Sequence, residues 1–101
     1  MPTTIAAPVA LTFAEVPGFV DAAAGSLDRL PPAADRAAAP DRRLELDLAP
    51  LQRFDSSAIA AFIAIERRAS ERHVELRLLN APPNLRKLAA LYAVDSLLFG
   101  G

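Results

Sequence analysis

The stretch Leu51-Gln52-Arg53-Phe54-Asp55-Ser56-Ser57-Ala58-Ile59 decides how the chain folds. Before it, Arg43-Leu44-Glu45-Leu46-Asp47-Leu48 alternates leucine with charge, the period of a strand with one apolar face. After it, Ala58, Phe62, Ile65 and Ala69 recur at helical spacing on one face, with Arg67, Arg68 and Glu71 broadly opposite. Asp55, Ser56 and Ser57 therefore stand where a strand gives way to a helix. Small polar residues suit that place, because the first N–H groups of a helix have no internal partner. A hydroxyl there is also displayed at the positive end of the helix dipole, where a phosphate is favourably placed. Capping alone accounts for all three residues; display of a hydroxyl where a phosphate would be favourably placed is the sharper reading.

Working outward, Val74-Glu75-Leu76-Arg77-Leu78 repeats the leucine–charge alternation. Strand, helix and strand at this spacing form a βαβ unit, with parallel strands at 43–48 and 74–79 and a helix over about 57–72. Strands covered on both faces read as nearly continuous apolar runs. These alternate instead, so one sheet face is expected to meet water and the helices to lie mainly on the other. The fold class is α/β, a small mixed sheet built from βαβ units. Ile59 and Ile63 fall on the helix flank nearer Ser56. They either widen the core stripe or form an apolar patch beside the serines, which would mark a partner site.

Toward the N-terminus, Thr4 to Phe13 reads as two short extended pieces broken by Pro8, with Val9, Leu11 and Phe13 on one face. Helical spacing begins near Val16, and Pro17 suits a first turn. Phe19, Val20, Ala23, Ala24, Leu27 and Leu30 make an apolar stripe that Pro31-Pro32 ends. The Pro/Ala-rich connection at about 31–41 has little to bury and is read as a linker inside one domain spanning 1–101. Beyond the second alternating strand, Asn80 to Pro83 makes a turn. Leu85, Leu88, Ala89 and Tyr92 define the buried side of a short helix, and Asp95-Ser96-Leu97-Leu98-Phe99 a final apolar turn.

Composition narrows the function classes. The 101 residues carry a net charge of −1, which gives no general attraction to nucleic acid or anionic membrane. There is no cysteine, hence no disulfide and no thiolate chemistry, and one histidine, too few for a usual zinc site. No apolar run approaches the ~20 residues that span a bilayer. The N-terminus does not read as a signal peptide, so the protein is expected in the cytoplasm without direct membrane insertion. Glycine-rich phosphate loops and the nucleophile elbow are lacking. His73 lies at the far end of the helix that Ser57 begins, some four turns away at ~1.5 Å per residue, and reads as a polar helix terminator rather than a base. Asp47 belongs to the solvated strand face. No catalysis, metal or cofactor is expected.

The segments Leu46-Asp47-Leu48, Phe54-Asp55-Ser56-Ser57-Ala58-Ile59 and Val74-Glu75-Leu76-Arg77-Leu78 together resemble the STAS domain family over roughly residues 9–99. The resemblance implies a small sheet with helices mainly on one side. It also implies partner binding through the Asp-Ser loop and the helix that follows. In the anti-sigma factor antagonists of that family, the Ser or Thr after the Asp accepts phosphate from a partner kinase, a position that falls on Ser56. Two departures from the antagonists stand out: Leu11-Thr12-Phe13-Ala14-Glu15 replaces their Gly-Glu-Leu-Asp-like motif, and Ala58 replaces a Gly. The Leu-Thr-Phe start and Leu88-Ala89-Ala90-Leu91-Tyr92-Ala93-Val94-Asp95-Ser96-Leu97-Leu98 are more similar to the small STAS subunits of Mla-type phospholipid transporters. That likeness implies a regulatory subunit seated on the transporter's cytosolic ATPase, peripheral to the inner membrane through the complex. The implied partner surface is Arg53, Asp55, Ser56, Ser57, Ile59, Ala60 and Ile63.

Overall fold

The computed structural model describes residues 3–29 and 43–99. In chain order its elements are β1 (Thr3–Ala6), β2 (Ala10–Leu11), α1 (Val16–Arg29), β3 (Arg43–Asp47), β4 (Arg53–Phe54), α2 (Ser56–Glu71), β5 (Glu75–Leu79), α3 (Pro83–Leu91) and α4 (Asp95–Phe99). The expected connection at 31–41, the stripe residue Leu30 and the stop at Pro31-Pro32 lie outside the described residues.

The principal sheet has the order β1-β3-β5. Its register sets Leu44 opposite Leu76 and Leu46 opposite Leu78, and Ile5 opposite Leu46 on the other side. The leucines of β3 point into the core, where Leu44, Leu46 and, just beyond the strand, Leu48 are fully buried. The opposite face carries Thr4, Arg43, Glu45, Asp47, Glu75 and Arg77, all of which keep contact with solvent. That face is tied together by charge: Arg43 reaches Glu75 at 3.3 Å and Glu45 at 3.7 Å, and Thr4 donates to Glu45 at 3.1 Å. The alternation in the sequence thus reports a sheet wetted on one side. The strands at 43–47 and 75–79 are parallel with α2 between them, as the βαβ reading requires. Every strand pairing among the described residues is parallel, including the small β2–β4 pair, so the antiparallel component of a mixed sheet does not occur in them.

Helices α1 and α2 pack against each other over the apolar face of the sheet. Phe19 of α1 meets Phe62 of α2 edge to face, with centroids 6.3 Å apart, a geometry that suits the aromatic quadrupole. Ala58, Phe62, Ile65 and Ala69 are all buried, as their shared face predicts. In α3, Leu85 and Ala89 are buried, but Tyr92 is 54% exposed and does not complete the buried side expected of it. The helix ends one residue earlier, and Ala93 at φ 58° turns the chain away. No polar or charged residue is buried among those described.

Two helices end alike. His73 has φ 57°; its N–H donates to Ser70 O at 3.1 Å, and Val74 N–H donates to Ala69 O at 2.8 Å. This is the Schellman arrangement, in which the residue after the helix takes the left-handed conformation and satisfies the last carbonyls. His73 is exposed there, a terminator as its position suggested. Ala93 and Val94 repeat the pattern on Ala90 and Ala89.

Candidate functional site

The loop that leads into α2 is held from both sides. On one, β4 pairs with β2, setting Arg53 opposite Ala10 and Phe54 opposite Leu11. The N–H groups of Gln52 and Arg53 both donate to Val9 O, at 2.7 and 3.0 Å. On the other, Asp55 caps α2. Its backbone is extended (φ −135°, ψ −168°), and its Oδ1 accepts from Ser57 N–H at 2.8 Å. Of the three small polar residues at the junction, Asp55 therefore does the capping. Ser56 is the first helical residue, exposed, and its hydroxyl has no hydrogen bond among the described residues. An uncommitted hydroxyl at the amino end of a sixteen-residue helix is free to meet a partner group or a phosphate.

The residues singled out in the sequence separate here. Arg53, Asp55, Ser56 and Ala60 are exposed, and Ser57 and Ile63 half-buried. Ile59 is 3% exposed and belongs to the core. Of the two readings open for the isoleucines, Ile59 takes the first, so its side chain is removed from the expected partner surface. The reason is rotational: α2 packs against both the sheet and α1, so the stripe it buries includes Ile59 and Ala61 beside the four-residue face. Ile63 packs on the core by one edge and is open by the other.

A shallow groove continues the surface along α2. Ala60, Ile63 and Ala64 form its floor, with Arg67, Arg68 and Glu71 at its far end. The partner surface expected from the sequence ends at Ile63. The extension was readable from the spacing, since Ala64 and Arg67 follow Ala60 by four and seven positions.

Two further residues on the N-terminal side, Val9 and Phe13, depart from the strand face that the alternation predicts for them. Val9 is 50% and Phe13 81% exposed, and only Leu11 of that alternating set is buried. The strand stops at Leu11 because Thr12 and Glu15 close a turn. The Glu15 carboxylate accepts from Thr12 N–H at 2.8 Å and from the Thr12 hydroxyl at 2.6 Å. Thr12-x-x-Glu15 is the spacing of a capping box, and it is the signal that could have ended the strand. Those bonds, the hydroxyl's above all, hold the Glu15 carboxyl below its ordinary range, with a smaller contribution from the nearby charge of Arg53. The Thr12–Glu15 turn and the loop before α2 are thus neighbours.

A small parallel sheet helix-covered on one face, with an exposed Asp-Ser corner opening the crossing helix, defines a class of compact α/β domain. Within that class a family model described as "Mlab, STAS domain" matches residues 11–99, and the chain belongs to that family. Comparison with curated proteins gives no match. STAS domains are generally binding and regulatory modules rather than enzymes. Among the described residues no helix is long and apolar enough to cross a membrane.

Proposed function

We propose that the protein is a non-catalytic regulatory subunit that docks on the cytosolic ATPase of a Mla-type phospholipid ABC transporter and stabilises its active assembly. The observation that carries this reading is the continuous surface running from Arg53, Asp55 and Ser56 into the Ala60–Ile63–Ala64 groove of α2. A shallow groove of small and apolar residues with arginines at one end offers a partner element a close approach and places charge at the edge, the usual arrangement of a protein interface. Membership of the Mlab STAS family supports the choice of partner. The protein then acts in the cytoplasm, reaching the inner membrane only through its complex. Ser57 and Ile63 contribute by shape; Ile59 supports the helix from beneath.

The test is a titration of Ser56→Ala, Ser56→Asp and Ser56→Arg against the cognate ATPase, with thermal melts alongside. Bulk or charge placed in a desolvated contact weakens binding by about 2–5 kcal/mol. Ser56→Ala, which removes no cap, binds near wild type. All three variants binding equally well would place the interface elsewhere.

The uncommitted Ser56 hydroxyl favours one second reading, an anti-sigma factor antagonist switched by phosphorylation at Ser56. There the partner is a serine kinase, and phosphate adds roughly two negative charges at the docking corner. Incubation with a kinase encoded beside the gene, followed by mass spectrometry, separates the two: stoichiometric modification lost in Ser56→Ala supports the switch.

A further inference from the structure

We infer that β5 is the joint of a two-fold homodimer, in which it pairs antiparallel with β5 of a second copy, centred on Leu76. The sheet order leaves β5 at an edge. Leu48 N–H donates to Leu79 O at 2.8 Å, so Leu79 turns its backbone groups toward β3. By the alternation of a strand, Arg77 and Glu75 do the same, while Leu76 and Leu78 turn theirs outward. No hydrogen bond among the described residues meets those outward groups. The edge is also reachable: an open groove runs along all of β5, walled on the helix side by Leu97, Leu98 and Phe99 of α4. Leu97 is 53% exposed there. The strand, Glu75-Leu76-Arg77-Leu78-Leu79, contains no proline or glycine to spoil pairing.

Charged residues on an edge strand commonly deter pairing. Here the signs decide otherwise, in one register only. A two-fold axis perpendicular to the sheet keeps both core faces on the same side, so each residue must meet one of like facing. Centring on Glu75 sets that carboxylate against its own copy, and centring on Arg77 does the same with guanidiniums. Centring on Leu78 puts Arg77 opposite Leu79 and carries Glu75 past the strand end. Centring on Leu76 sets Glu75 of each copy opposite Arg77 of the other, twice. The outward backbone groups of the two Leu76 residues then exchange both hydrogen bonds, and Leu78 N–H of each copy faces the Val74 carbonyl of the other. On the wet face, Arg43, which already pairs with Glu75, extends the ladder of alternating charge. The strip is short and belongs with interfaces under ~1,200 Å², so the dimer forms reversibly with concentration. It uses no residue of α2, and leaves the docking surface of that helix open.

Sedimentation equilibrium on the whole chain from about 10 μM to 1 mM reads the association. Wild type is expected to shift from monomer toward dimer over that range. The amides of Leu76 and Leu78, followed by hydrogen exchange on wild type, are expected to slow as concentration rises. Arg77→Glu gives a strand with two carboxylates and Glu75→Arg one with two guanidiniums. Each alone is expected to dimerise at least about tenfold more weakly, because like charges then face each other across the axis. Mixed in equal amounts, the two variants are expected to recover a heterodimer, since every cross-pair is again of opposite sign. Circular dichroism confirms that each variant is folded. A wild type monomeric throughout with unchanged exchange, a dimer indifferent to both reversals, or a mixture that fails to recover association would each overturn the proposal.

Discussion

At the scale of single residues, the junction before α2 divides its labour in a way that mutation can read. Asp55 Oδ1 holds Ser57 N–H at 2.8 Å, so Asp55→Ala is expected to cost ~1 kcal/mol in a denaturant titration. Ser56→Ala is expected to change stability by less than ~0.5 kcal/mol, its hydroxyl being uncommitted. Two glutamates give opposite pH signatures. Glu15 lies below its ordinary 4.5 because Thr12 bonds the ionised form. A carboxyl so lowered contributes stability that is complete above 4.5 and is lost as pH falls through its folded value. Thr12→Val removes the hydroxyl bond, and is expected to flatten the acid limb of a stability-versus-pH curve. Glu66, on α2, lies above its ordinary 4.5 because partial burial disfavours its charge. Its ionised form is the disfavoured one, so its contribution declines as pH rises from 4.5. Glu66→Gln is expected to remove that decline, with thermal melts from pH 4 to 7 as the measurement.

At the scale of elements, helix endings carry the clearest cost. His73 and Ala93 both adopt φ near 57° without being glycine, a conformation that costs an L-residue ~1–2 kcal/mol. Glycine relieves the crowding but adds freedom to the unfolded chain, which offsets part of the gain. Ala93→Gly is expected to stabilise by ~0.5–1 kcal/mol, seen as a higher denaturant midpoint at unchanged slope. His73→Gly is expected to gain less, because histidine enters the left-handed region more readily than alanine does. The α1–α2 contact is the reverse case. Phe62 is fully buried against Phe19, and Phe62→Ala is expected to cost ~3–5 kcal/mol.

At the scale of the whole molecule, β3 is the central strand, paired on both sides, while β2–β4 pairs only two residues from each strand. Amide exchange is expected to be slowest in Leu44 and Leu46 and much faster at Leu11 and Phe54, in line with the pairing each strand has. The large-scale plan was legible because it rests on periodicity. Leucines alternating with charges in 43–47 and 75–79 announced both strands and the wet face. The apolar stripe of α2 announced its orientation to within a residue at each end. What escaped was set by tertiary contact. A two-residue pair such as β2–β4 leaves no pattern of its own, and Phe13 kept the strand period although the Thr12–Glu15 turn had already ended it. Ile59 stood at the margin of a stripe whose width depends on α1, an element distant in sequence. The corner itself was found, because capping chemistry is local; which of its members does the capping was not.

The uniformly parallel pairing has a kinetic corollary. Thr3 lies opposite Leu44, Ala10 opposite Arg53 and Arg43 opposite Glu75; no described strand finds its partner within thirty residues of itself. With no hairpin among the described strands, the sheet has no cheap first step, and long loops must close before any of these ladders forms. Helix formation in α1 and α2 is local and available early, and docking of α2 on β3 and β5 is the step expected to organise the sheet. During synthesis, β1 must wait unpaired until β3 has emerged, an interval in which its backbone groups and apolar residues stay exposed to water.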